Sequence, residues 1–133
     1  MLIAVTAWLA HLHVVAQIYH PVVRLSSPDG LVYTAVQDAK VERQACGAAN
    51  TRFLGPVKQG CKDCKVIAAR CERQLEGIAL AISEGKKLPH HQIRGPGLRM
   101  VIAGPVEFAR ASCEHIVVEM RRNGLRGTCV HPS

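Results

Sequence analysis

The stretch Leu98 to Val130, LRMVIAGPVEFARASCEHIVVEMRRNGLRGTCV, constrains the fold more than any other part of the chain. It carries a complete strand, helix, strand unit with its punctuation in place. LRMVIAG is a short apolar run rich in β-branched residues, stopped by Gly104-Pro105, and so predicts a strand. From Val106 the apolar residues change period: Phe108, Ala111, Ile116 and Met120 follow helical spacing, and Arg121-Arg122-Asn123-Gly124 supplies cations and a glycine stop. Leu125 to Val130 alternates again and predicts a returning strand.

A second unit of the same kind is written into Leu31 to Cys71. LVYTAV has strand composition, Asp38 is placed to cap a helix running through VERQACGAANTRFL to Gly55-Pro56, and KVIAARC alternates as a strand after the turn KQGCKDC. Between the units, Glu72 to Lys87 carries Leu75, Ile78, Ala79 and Ile82 at helical spacing and predicts an inserted amphipathic helix. Leu88 to Gly97 then predicts a loop. Residues 31–133 are thus one α+β domain, for which 133 residues provide a single core. With 48% hydrophobic but only 4% aromatic residues, that core must be aliphatic.

Each unit has a cysteine in the early part of its helix, Cys46 and Cys113, and another near the end of its second strand, Cys71 and Cys129. In a right-handed crossover the start of the helix lies near the end of the following strand. That geometry pairs Cys46 with Cys71 and Cys113 with Cys129, and leaves Cys61 with Cys64 as a local bridge. Cys61-Lys-Asp-Cys64 has the spacing of a redox dithiol, but it precedes a strand rather than opening a helix, where a dipole would lower the thiol pKa. A competing reading assembles Cys61, Cys64 and Cys71 with His90 or His91 as a zinc site. Paired cysteines in a short chain favour disulfides and an oxidising compartment.

Residues 1–23, MLIAVTAWLAHLHVVAQIYHPVV, contain no Lys, Arg, Asp or Glu. About 20 apolar residues span a bilayer, so this stretch is expected to be an inner-membrane anchor helix, with oligomerisation through it as a further expectation. Residues 24–30 follow as a linker of turn-forming residues. His11 and His13 fall on different helix faces and cannot chelate one ion. Arg24 and Lys40 after the apolar run favour a cytoplasmic domain by the positive-inside tendency, whereas the cysteines favour the periplasm or cell exterior. The cysteines decide the expectation.

Seventeen Lys+Arg against ten Asp+Glu give a net charge of +7, which favours anionic partners. Strand alternation places Arg70, Arg99 and Arg126 on the face of the sheet away from the helices, as does the pattern Val66, Ala68 outward and Ile67, Ala69 inward. Arginine forks suit carboxylate, phosphate and sugar hydroxyls, so these three are the expected ligand-binding residues. No carboxylate pair has acid and base spacing, and no phosphate loop or nucleophile elbow occurs. The chain therefore reads as non-catalytic, with no cofactor and no metal. With two Phe, two Tyr and one Trp it lacks the stacking platform of a single-strand nucleic-acid binder, and nucleic acid is not an expected partner.

A strand ending in glycine, an Ala-rich helix and a basic Asn-Gly turn into another strand resembles the second half of a SPOR domain. Val101, Gly104, Ala111, Met120, Gly124 and Leu125 carry the likeness, within residues 98–131. Pro105-Val106, the six cysteines and the inserted helix depart from that pattern. The resemblance implies a ferredoxin-like βαββαβ domain that binds peptidoglycan glycan strands, or an envelope protein, at the bacterial cell surface. An alternative role is the extracytoplasmic appendage of a multi-span membrane enzyme of polysaccharide or lipid-carrier metabolism. A third is a cytoplasmic nucleic-acid- or zinc-binding protein.

Overall fold

A computed structural model describes residues 17–132. Nine elements follow in the order β1 (His20–Ser26), β2 (Val32–Gln37), α1 (Arg43–Gly60), β3 (Lys65–Glu72), α2 (Gly77–Ser83), β4 (His91–Gly95), β5 (Leu98–Ala103), α3 (Val106–Arg122) and β6 (Thr128–Val130). The strands form one sheet in the order β3-β1-β2-β5-β4-β6, and every neighbouring pair is antiparallel. Among the described residues the protein is therefore α+β, with a six-stranded sheet and three helices.

The order has an internal two-fold. Each half is a hairpin, a helix, and a third strand that returns to the outer side of the hairpin's first strand: β1-β2-α1-β3 and β4-β5-α3-β6. The halves meet along β2 and β5, from Val32 opposite Ala103 to Gln37 opposite Leu98. This differs from the expected βαββαβ plan, because the gap between β2 and β3 is filled by β1 and that between β5 and β6 by β4.

Both added strands come from segments assigned otherwise above. β1 takes in His20 to Val23 from the end of the apolar run and Arg24 to Ser26 from the linker, since Val23 and Leu25 alternate with Arg24 and bury one face. β4 lies inside the expected loop and has a single large aliphatic, Ile93, preceded by His91 and Gln92 that are themselves buried. The membrane-anchor reading of residues 1–16 lies outside the described residues. Among the described residues no helix is long and apolar enough to cross a membrane.

The helices also differ in extent. α1 starts at Arg43 rather than at Asp38 and runs through Gly55-Pro56 to Gly60; Pro56 removes one backbone donor but does not end it. α2 is only seven residues, its start set by Gly77 at φ +57°. α3 matches its sequence signature, and Gly124 closes it at φ +76°, with Leu125 N–H donating to Met120 O at 2.8 Å.

Two apolar layers sandwich the sheet. On one face Leu31, Ala35, Ile93, Met100 and Ile102 pack against Ala109, Cys113 and Val117 of α3, with Phe53 of α1 alongside. On the other, Val22, Val36 and Val101 are covered by Leu75 and Ile82, the latter from α2. Burying each such aliphatic stabilises the fold by roughly 1.5–3 kcal/mol. Three disulfides, Cys46–Cys71, Cys61–Cys64 and Cys113–Cys129, account for all six cysteines, in the pairing that the crossover argument gives. They fit an oxidising setting.

Candidate binding face

Among the described residues, the face opposite α1 and α3 is only half covered. α2 packs on β2 and β5, leaving β1 and β3 open beside it. The result is a groove of about 630 Å³ with β1 and β3 as its floor, and Leu75 to Ala79 as one wall. Arg24 stands on β1 and Arg70 on β3, both exposed. Their register fixes the relation: Val22 is opposite Arg70 and Arg24 opposite Ala68, so the two arginines are diagonal neighbours on one face. Ile67 and Ile78 add half-exposed apolar surface, Thr34 a hydroxyl, and Glu72 and Glu76 carboxylates at the rim.

Among the described residues no hydrogen bond or salt bridge engages the guanidinium of Arg24 or of Arg70. The forks that are engaged belong to Arg94, Arg99 and Arg122. A pair of unengaged forks over a partly apolar floor is suited to carboxylate or phosphate groups spaced along an extended ligand.

The three arginines singled out by alternation are not brought together. Arg70 and Arg99 do share the face. Arg99, however, donates to Ile82 O at 2.9 Å and Ser83 O at 3.4 Å and lies 4.0 Å from the Asp38 carboxylate, so it fastens α2 to the sheet. Arg126 precedes β6 and is not part of a strand. β3 and β6 are opposite edges of the sheet, about 24 Å apart at five strand spacings. Arg24 takes the place beside Arg70 that the sequence reading gave to the others; its strand went unrecognised, so its facing did too.

A bulge alters the facing of β3 as well. Its register against β1 shifts between Ala68 and Val66, leaving Ile67 without a partner. Ile67 consequently lines the groove instead of facing the helices, and Val66, opposite Leu25, takes the helix side.

On the helix side of β4, His91 is 2% exposed and its Nδ1 shares a hydrogen bond with Nδ1 of His131 at 3.0 Å. Burial first, then the charges of His131 and Arg110, hold His91 below the ordinary histidine pKa, with Glu114 acting in the opposite direction. Cys61, Cys64 and Cys71 are all bridged and supply no thiolates to a zinc ion together with His90 or His91. Among the described residues no cluster of three or more His, Cys, Asp or Glu side chains could hold a metal.

A scan of protein-family models and searches of curated proteins and solved structures find no match to this chain.

Proposed function

We propose that the protein is a non-catalytic binding module of the bacterial cell envelope that takes an anionic polymer, such as peptidoglycan, into the groove over β1 and β3. The observation that carries this reading is the pair Arg24 and Arg70, adjacent on one face and, among the described residues, unengaged. The net charge of +7 favours an anionic ligand over a neutral one, and three disulfides fit a domain working on the oxidising side of a membrane. The charge-free residues before β1 support anchorage at the inner membrane, and the disulfides favour a domain facing the periplasm. The groove is open to solvent rather than enclosed, which suits a polymer better than a buried small molecule.

Co-sedimentation of the full chain with purified peptidoglycan sacculi tests the reading. R24A/R70A is expected to lower the bound fraction at least fivefold at low salt, with R126A close to the unaltered chain. Equal losses in both variants, or no binding at any salt, would refute it.

A further inference from the structure

The two edges of the sheet are unlike. β6 has three residues followed at once by His131-Pro132, whereas β3 offers eight residues with no proline, most of them exposed. Among the described residues nothing pairs with the outer side of β3, and an edge of that length presents a row of unpaired backbone donors and acceptors, which proteins ordinarily shorten, interrupt with proline or cover. Here it is also held in place: Cys61–Cys64 closes the turn leading into β3, and Cys71–Cys46 ties its far end to α1. A strand so fixed loses little freedom on pairing.

We propose that β3 pairs antiparallel with β3 of a second copy of this chain, joining two six-stranded sheets into one of twelve across a two-fold axis. The charges of the strand choose this partner. Centring the pairing on Ala69, with the bulged pair Ile67 and Ala68 together opposite Arg70 of the other copy, sets Lys65 of each copy opposite Glu72 of the other, giving two unlike-charge pairs, one at either end. Seven positions apart, Lys65 and Glu72 would fall on opposite faces of a regular strand. The bulge at Ile67 corrects this: Lys65 is opposite Ser26 and Glu72 opposite His20, two positions on the same face of β1. A distortion that would otherwise spoil an edge thus makes this one self-complementary, with Ala69 of the two copies meeting at the centre. An isologous contact of this kind closes at two copies. It stands independently of the ligand reading, and it would place Arg70 of both copies on one continuous face.

Sedimentation of the full chain over a concentration series tests the pairing. The unaltered chain is expected at twice the 14.5 kDa of one copy. K65E and E72K, each placing like charges at both ends, should raise the dissociation midpoint at least tenfold, and K65E/E72K should restore it. Circular dichroism melts of all four proteins show that folding is intact, as expected for changes at a strand edge. A chain monomeric throughout, a dimer indifferent to either substitution, as association through the apolar N-terminal stretch would give, or a double variant that stays dissociated would each overturn the proposal.

Discussion

Removing the disulfides one pair at a time should destabilise the protein in an order set by loop length. The bridges span sequence separations of 25 for Cys46–Cys71, 16 for Cys113–Cys129 and 3 for Cys61–Cys64. Loop-closure entropy in the unfolded chain gives about 3.5, about 3.1 and about 1.6 kcal/mol respectively at room temperature. For a chain of this size about 1 kcal/mol shifts Tm by about 4 °C, so C46A/C71A and C113A/C129A should melt about 12–14 °C below the oxidised protein and C61A/C64A about 6 °C below. Cys46 and Cys113 are fully buried, and losing their sulfur packing widens the gap between long and short bridges. Thermal unfolding followed by circular dichroism at 222 nm reads all three. A C61A/C64A variant that loses as much as either long pair would show that limiting the unfolded chain is not what these bridges contribute.

Three further substitutions report on other parts of the fold. Gly104 sits at φ +135° with a virtual Cβ 2.7 Å from the Gly30 carbonyl oxygen, so G104A should cost about 2 kcal/mol or more in chemical denaturation. R99A frees α2 from its two carbonyl contacts and should cost about 1–2 kcal/mol, with faster amide exchange confined to residues 77–85. His91 titrates lower in the folded protein than the usual 6.5, so the unfolded chain binds more protons as pH falls through 6.5. Stability should therefore decline from about pH 6.5 downward, and H91Q should flatten that part of the Tm against pH curve. A slope unchanged in H91Q would assign the acid sensitivity to other groups.

The parts of the fold legible in the sequence were those with a regular period and ordinary punctuation. Leu98 to Ala103 and Val106 to Arg122 obey both, and their bounds follow from Gly104-Pro105 and Gly124. β4 was hidden because its buried side chains are polar: Gln92 donates to Lys86 O and His91 meets His131, pairings fixed by tertiary neighbours and invisible to a hydropathy pattern. β1 was hidden because Val22-Val23 continue the apolar run before them, so that Pro21 reads as the end of a helix rather than as the start of a strand. Half of the candidate face was legible for the same reasons. Alternation oriented Arg70 and Arg99, but it could not show that α2 would occupy Arg99, nor that a bulge would turn Ile67 toward the groove.

The internal two-fold also decides how the crosslinks are distributed. Every bridge closes within one half, Cys46–Cys71 and Cys61–Cys64 in the first and Cys113–Cys129 in the second, and none crosses from β2 to β5. The oxidised unfolded chain then carries one closed loop in each half, from helix to third strand, with both hairpins outside the loops. Refolding must align six residues of β2 with six of β5 without help from any crosslink, so that seam is the most non-local pairing of the sheet.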